Sequence, residues 1–270
     1  MENIQSSSPI FQHITILREG HITWVTLNRP DKANALSHDH LAEIETAALA
    51  FREDSETRVV IFNGNGRHFS SGADLSEPKQ TPPLPLVKAR RRGRMGERAI
   101  EAILNIDQIT IAAWHGAAMG GGACVTTACD FRVGAQGCFM QYPEIDLGIN
   151  LMWKSLPLIL NLVGPARAKR LVVGAERLYA EELLDWGILD ELVAATELKG
   201  AAKKMADFYA SKPPVAAQMI KQSTNQLANA LNHAIMHMDT DQNLLSARTE
   251  DRQTAIDAYF NKQPGDYQGN

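Results

Sequence analysis

The sequence lacks long apolar runs, an excess of one sign of charge and a basic-then-apolar leader. Its 270 residues carry a net charge of −4, with 44% hydrophobic and 21% charged residues. This balance gives no reason to expect a nucleic-acid or membrane partner. No apolar run reaches the length of a membrane span, and the first residues do not resemble a secretory signal. We therefore expect a globular, cytoplasmic protein.

Cysteine is also scarce. The three cysteines, Cys124, Cys129 and Cys138, cannot all pair, and their spacing is not that of a zinc site. Free, buried thiols in a reducing compartment follow from this count. No set of three metal ligands is evident elsewhere in the sequence, so we predict no metal.

The densest pattern lies between Trp114 and Gly148. A short apolar run at 111–114 predicts a buried strand, and three glycines at 120–122 precede a small-residue segment at 123–129 that could form a helix. Glycines allow close approach of the backbone to a ligand, and a helix start has free N–H groups. Together they indicate an anion or oxyanion site.

Glu144 is the acid that this pattern singles out. It stands between Pro143 and Ile145, and an apolar setting favours a desolvated carboxylate that works as a base. The alternative, a carboxylate that only caps a helix or loop, is the weaker interpretation.

The order of predicted elements indicates an α/β core followed by helices. A domain at 1–200 would hold the site, and 201–270 would be a helical oligomerisation region. The predicted strands are 22–27, 58–62, 109–114, 130–133 and 188–193. The predicted helices are 37–54, 88–106, 165–173, 180–186, 197–210, 214–238 and 251–262.

Five segments taken together resemble the crotonase superfamily, the enoyl-CoA hydratase and isomerase family. They are NRPDKANALS at 28–37, HFSSGADL at 68–75, HGAAMGGGACVTTACD at 115–130, YPEIDLGI at 142–149 and AEELLDWGILDELV at 180–193. The resemblance implies a crotonase-like α/β fold, a superhelix of repeated ββα units with a C-terminal helical trimerisation region. It also implies a homotrimer, or a hexamer that is a dimer of trimers.

The same resemblance implies an acyl-CoA thioester substrate and no cofactor beyond coenzyme A within that substrate. Matching the motifs residue by residue assigns two backbone N–H donors, those of Ala73 and Gly121, to an oxyanion hole. It assigns the catalytic acid to Glu144. The resembled family's hydratases carry a second glutamate two residues after the glycine triplet, where this chain has Cys124.

The lone acid favours an isomerase, because one carboxylate suffices to move a double bond from C3=C4 to C2=C3. A thiol cannot replace a carboxylate in deprotonating water unless its pKa is depressed. Bulky Leu151, Met152 and Trp153 would line a dry pocket beside Cys124, although simple core packing explains them nearly as well. A hydratase and a non-catalytic acyl-CoA-binding protein remain as alternatives.

For coenzyme A, the resemblance points to Arg29, Lys32 and Ala33. It also points to Phe260 and Lys262 on a C-terminal helix that often reaches a neighbouring subunit's ligand. The basic run at 88–98 could attract phosphates too, but a solvated helix face explains it slightly better.

Overall fold

The structure, a computed structural model, describes residues 11–77 and 82–270. The strands of the described residues are β1 (Ile14–Glu19), β2 (Ile22–Leu27), β3 (Val59–Gly64), β4 (Ile109–Trp114), β5 (Ala117–Met119), β6 (Phe131–Ala135), β7 (Phe139–Gln141), β8 (Leu178–Tyr179) and β9 (Glu191–Val193). The α-helices are α1 (His38–Ala50), α2 (Leu86–Gly93), α3 (Met95–Leu104), α4 (Gly121–Ala128), α5 (Leu156–Val172), α6 (Ala180–Asp185), α7 (Leu198–Ala210), α8 (Pro214–Ala228), α9 (His233–Met236), α10 (Asp239–Ser246) and α11 (Glu250–Asn261).

Two sheets form the framework. The larger sheet has the order β1-β2-β3-β4-β6-β9 and is parallel except for the β1–β2 pair. The smaller sheet has the order β5-β7-β8. β4 is followed by β5 and then α4, and β6 by β7 and then α5. These ββα units confirm the fold class that the sequence resemblance implied.

Apolar side chains cover both faces of the larger sheet, which explains the almost unbroken apolar runs of β2, β3 and β4. One buried cluster joins the sheet to α1, α3, α4 and α5. A second joins the other face to α7. Helix α7 therefore packs on the larger sheet, and it crosses residue 200, where the domain boundary was predicted.

The helix starting at Ser37 is confirmed, because the Ser37 side chain accepts a hydrogen bond from the backbone N–H of His40. The single helix predicted at 88–106 is wrong. It is divided at Arg94, where ψ is 1°, and Gly93, a weak helix former, packs its Cα toward Thr240 on α10.

The predicted helix at 214–238 is also divided, because α8 ends at Ala228, with Asn229 as its C-cap. The side-chain amide of Asn232 hydrogen-bonds that of Asn229, a local contact that competes with helical continuation. The helix predicted from Pro165 begins there as expected, after a non-helical Gly164. An unpredicted helical segment precedes it within α5.

Within the described residues, no helix is long and apolar enough to cross a membrane. The same part of the chain contains no cluster of three or more potential metal-ligating side chains of His, Cys, Asp or Glu. All three cysteines are free and buried.

Candidate active site

A cavity of about 130 Å³ lies where the loop after β3 meets the start of α4. The loop after β3 reaches it through Ser71, Gly72 and Ala73, and the start of α4 reaches it through Gly121. Isolated bridges fix this loop: Ala73 pairs with Leu36, and Ser70 with Ala118 of β5. The smaller sheet thus aligns the two segments against each other.

The backbone N–H groups of Ala73 and Gly121 lie at this cavity without an acceptor among the described residues. In the bridge with Leu36, the partners are the carbonyl of Gly72 and the N–H of Asp74, which leaves the N–H of Ala73 unused. Gly121 is the first residue of α4, where N–H groups have no partner within the helix. A Cβ atom on Gly72 would stand 3.3 Å from the Gly121 nitrogen, so the two segments are in contact.

Gly120 joins the glycine segment to the acid. Its φ of +47° is a conformation that suits glycine, and its N–H donates to the carbonyl of Gln141 at 2.9 Å. A Cβ atom here would stand 2.8 Å from Glu144 Oε1. The carboxylate of Glu144 therefore packs directly against the backbone of Gly120.

The Glu144 carboxyl is poorly solvated. Its Oε2 atom is out of contact with solvent and has no hydrogen-bond partner. Burial raises the pKa of Glu144 to about 7, and the nearby charge of Asp146 adds to the rise. A carboxylate with this pKa exchanges protons readily near neutral pH, which suits a general base.

Cys124, Met152 and Trp153 line the cavity as predicted from the sequence, but Leu151 does not. Leu151 lies in the main hydrophobic core and is 3% exposed. The pKa of the Cys124 thiol is raised by burial and then by the charge of Glu144. The thiol is therefore neutral and adds no second base to the cavity.

Trp153 forms one wall and is held between two helices. A Cβ atom on Gly121 would stand 2.0 Å from its Cζ3, and one on Gly96 of α3 2.0 Å from its Cε2. Only glycine on both sides leaves room for the indole. Its burial beside the Glu144 site helps to keep water out.

The backbone at Trp153 is strained. Trp153 has φ of +62° and Lys154 has φ of +59°, and each left-handed, non-glycine residue costs about 1–2 kcal/mol. Asp239 accepts a hydrogen bond from the Lys154 N–H at 2.7 Å, and the Lys154 Nζ pairs with Glu101 at 2.9 Å. Such strain persists where the surrounding contacts enforce it.

The residues predicted to bind coenzyme A lie in two places. Arg29 has its guanidinium occupied within the chain, since it pairs with Asp74 at 3.0 Å and donates to the carbonyl of Ala35. It supports the loop of Ala73 rather than presenting a free cation. Lys32 is exposed, and the Ala33 carbonyl accepts from the Ser71 N–H at 2.9 Å, which places this turn beside the cavity loop.

Phe260 and Lys262 are exposed at the end of α11. Their neighbour Tyr259 is the α11 residue that lines the cavity, and its ring meets that of Phe260 edge-on at 5.5 Å between centroids. Sequence reasoning missed Tyr259.

The basic run at 88–98 is largely neutralised by acids of the same chain. Its ion pairs within the described residues are Arg90–Asp241, Arg94–Glu97 and Arg98–Glu45. Arg92 donates to His38, which in turn contacts Glu77. The run therefore ties α2 and α3 to α1 and α10, which favours the structural explanation over a phosphate site.

Asn150 is a second cavity residue that sequence reasoning missed. It lines the cavity with Glu144, and its Oδ1 is buried without a partner. Its position six residues after Glu144 was visible in the sequence, but only the folded chain turns that side chain inward.

The chain is similar to proteins of one known family. The enoyl-CoA hydratase/isomerase family model matches residues 18–270. A short-chain-enoyl-CoA hydratase of Clostridium acetobutylicum is 30% identical over 252 residues, 93% of this chain and 95% of the relative. A carnitinyl-CoA dehydratase of Salmonella paratyphi A is 34% identical over 213 residues, 78% of each protein. The crystal structure of an enoyl-CoA hydratase from Mycobacterium avium subsp. paratuberculosis has the same fold, with a TM-score of 0.85 over 96% of this chain and 100% of that chain at 23% identity.

Proposed function

This chain belongs to the enoyl-CoA hydratase/isomerase family, and we propose that it is an enoyl-CoA isomerase that shifts a C3=C4 double bond to C2=C3. The observation that carries the proposal is the single buried carboxyl of Glu144, in the same cavity as two residues with unpaired backbone N–H groups and with the neutral thiol of Cys124 in place of a second acid. A base and an oxyanion hole without a second acid are what a proton shuttle requires.

In the first step the Glu144 carboxylate removes a proton from C2 of a 3-enoyl thioester. The electron pair of that C–H bond moves toward the thioester carbonyl and forms a dienolate. The N–H groups of Ala73 and Gly121 donate to the oxyanion, and one such donor contributes about 2.7–4 kcal/mol to a transition state. In the second step the carbonyl re-forms, the C1=C2 electron pair of the dienolate moves to C2=C3, and the C3=C4 pair takes the proton from Glu144 at C4.

The walls of the cavity support both steps. Met152, Trp153 and Cys124 offer no ionised group, so the carboxylate is not stabilised by a countercharge and remains basic.

A second candidate function is hydration of a 2-enoyl thioester. The names of the relatives favour it, since they are a short-chain-enoyl-CoA hydratase and a carnitinyl-CoA dehydratase. Hydration requires a second polar group that holds water, because Cys124 cannot.

The test is a panel of acyl-CoA thioesters assayed for proton exchange with deuterated water at C2 and for double-bond migration. We expect Glu144→Gln to reduce both rates by about 10³-fold or more. The matched control is Asp146→Asn, which removes an exposed acid two residues away and should retain most activity. Full activity of Glu144→Gln would disprove the mechanism, and tight thioester binding without exchange would favour a non-catalytic acyl-CoA-binding protein.

For the substrate's coenzyme A portion, we propose contacts from Lys32 and the backbone at Ala33, since this turn borders the cavity loop. The three buried free thiols support a reducing, cytoplasmic location. We propose no metal, no nucleic-acid partner and no membrane partner.

We also propose a homotrimer, or a hexamer built from two trimers, assembled through the helices after residue 200. Helix α8 and the segment after it expose large apolar side chains that a monomer would leave in water: Val215, Met219, Ile220, Leu227 and Leu231. Light scattering of the purified protein would give the assembly, and Ile220→Asp should dissociate it. A monomeric wild-type protein would refute this proposal.

A further inference from the structure

Two buried side-chain oxygens, each belonging to a residue that lines the cavity, accept no hydrogen bond. They are Glu144 Oε2 and Asn150 Oδ1, and both are out of contact with solvent although both residues line the same space. A buried acceptor without a donor costs about 1–3 kcal/mol. Native proteins avoid this cost unless a ligand or a bound water supplies the donor.

The orientation of the Asn150 amide is fixed by its surroundings. Its Nδ2 lies 3.2 Å from the carbonyl oxygen of Asp239, and 3.4 Å from both the Leu151 carbonyl oxygen and Gln242 Oε1. All three partners are acceptors, so only the NH₂ end of the amide can face them. Oδ1 is therefore held as an acceptor before any ligand binds.

This amide is anchored to the same strained segment that places Trp153. The carboxylate of Asp239 accepts from the Lys154 N–H, while its backbone carbonyl accepts from Asn150. One residue of α10 thus fixes both the apolar wall of the cavity and this polar group. The arrangement positions Oδ1 rather than leaving it to rotate.

Few chemical groups could supply the missing hydrogen-bond donor. The thioester carbonyl is an acceptor and would take the N–H groups of Ala73 and Gly121, and an unsubstituted acyl chain has no donor at all. A cavity of about 130 Å³ beside a carbonyl site leaves room for a small group such as a hydroxyl or a water.

We infer that Asn150 Oδ1 and the Glu144 carboxyl together bind one oxygen at the acyl chain: the water that adds to a 2-enoyl thioester, or the hydroxyl of a 3-hydroxyacyl thioester. Water donates one O–H to each acceptor, whereas the hydroxyl donates to Asn150 and accepts from protonated Glu144. Asn150 then takes the role of a second polar group, which the neutral thiol of Cys124 cannot take. This inference rests on the second candidate function, and it gives the site a further activity beside isomerisation.

The chemical step balances with one carboxylate. Water held by Asn150 gives a proton to the Glu144 carboxylate while its oxygen bonds to C3. The electron pair of the C2=C3 bond moves to the thioester carbonyl, where Ala73 and Gly121 hold the enolate. Protonated Glu144 then delivers the proton to C2, which completes addition of water; dehydration is the reverse.

The test measures binding first, because binding does not depend on turnover. Calorimetry compares 3-hydroxybutyryl-CoA with butyryl-CoA, which lacks the hydroxyl. We expect the wild-type protein to prefer the hydroxylated thioester by about tenfold. Asn150→Leu should remove the preference, whereas Asn150→Asp keeps the acceptor and should retain part of it. If Asn150 only stabilised the fold, Asn150→Asp, which loses the NH₂ contacts, would retain no more of the hydroxyl preference than Asn150→Leu.

The control is Gln242→Ala, which removes an exposed partner of the Asn150 amide without altering the cavity lining. It should preserve the hydroxyl preference. Thermal unfolding checks that each variant is folded. Equal affinity of the wild-type protein for both thioesters would overturn the inference, and so would an unchanged preference in Asn150→Leu.

Kinetics then separates the two sources of the O–H group. If water is bound, the wild-type protein hydrates crotonyl-CoA, and Asn150→Leu lowers this rate about 100-fold while proton exchange at C2 stays within about threefold. If a hydroxyacyl group is bound instead, the binding preference appears without hydration. Loss of exchange in the wild-type protein would refute the enolate mechanism itself, whereas exchange without a hydroxyl preference would refute only the role of Asn150.

Discussion

The six-membered ring of Trp153 lies directly against Gly121, so close that a Cβ atom on the glycine would stand 2.0 Å from Cζ3. The residue proposed to offer an N–H to an oxyanion is thus also the one that makes room for the indole. On the far side, Gly96 of α3 allows the same approach. The Trp153 wall of the cavity and the proposed oxyanion hole are therefore packed against each other.

This packing predicts the effect of Gly96→Ala. The new methyl would collide with Trp153 and destabilise the fold by about 1–3 kcal/mol. Trp153→Leu should relieve the collision, so the double variant should lose less stability than the sum of the single variants. Chemical denaturation of the four proteins measures this coupling, and strict additivity would show that the indole moves aside freely.

Trp153→Leu should also deepen the pocket. A smaller side chain removes the wall beside Met152, so longer acyl chains gain room. We expect the kcat/KM ratio of a C8 over a C4 thioester to rise by about tenfold. Steady-state kinetics over a chain-length series tests this, and an unchanged ratio would mean that the chain leaves the cavity by another route.

The raised pKa of Glu144 sets the pH dependence of activity. The base works only when deprotonated, so the rate of proton exchange should be low in acid, rise through pH about 7 and level off above it. Asp146→Asn should move the midpoint to lower pH, because the charge of Asp146 contributes to the raised pKa. A midpoint near 4.5 would contradict the burial of this carboxyl.

The same burial costs stability. Because the pKa of Glu144 in the folded chain is raised from 4.5 to about 7, the native state holds a proton that the unfolded state has lost between these pH values. Its stability therefore falls as the pH rises through this window. Glu144→Gln should stabilise the protein by up to about 3 kcal/mol at pH 8 and by little at pH 4.5. Urea unfolding at both pH values checks the sign, and equal effects would refute it.

The thiol of Cys124 is predicted to be unreactive toward alkylating reagents. Its thiol pKa is raised by burial and by Glu144, so iodoacetamide at pH 8 should leave it unmodified until the chain unfolds. Cys124→Ala should retain proton exchange within about threefold, since the side chain serves as a small apolar contact. Cys129, equally buried but outside this cavity, is the matched control. Rapid modification of Cys124 alone would indicate an activated thiol.

The main strands of this protein can be predicted from its sequence, because short local patterns of apolar and turn residues mark them. β2 and β4 are apolar runs that end at turn residues, and their observed bounds coincide with the prediction. Glu144 and Gly121 stand in segments that proline and glycine mark in the sequence itself. The short strands β5, β7 and β8 escaped prediction, since two or three residues carry too little periodicity.

The rest of the cavity depends on contacts between segments far apart in the chain. Tyr259 arrives on α11, and Asn150 is turned inward by the carbonyl of Asp239 on α10. Leu151 was predicted to line the pocket but lies in the main hydrophobic core. The left-handed backbone of Trp153 and Lys154 close by was not predictable either, because neither is a residue type that favours it. The sequence indicated Arg29 as a cation available to coenzyme A, whereas in the folded chain its guanidinium pairs with Asp74.

The joint at Gly120 has a consequence for how this scaffold can diversify. The backbone at Gly120 contacts the carboxylate of Glu144 and continues directly into the N–H of Gly121. The backbone of this short segment therefore sets the spacing between the proposed base and the proposed oxyanion donor. New reactions must then arise by exchanging the side chains around that segment. Mutational libraries aimed at Cys124, Asn150 and Trp153 should yield altered product spectra far more often than libraries aimed at 119–121.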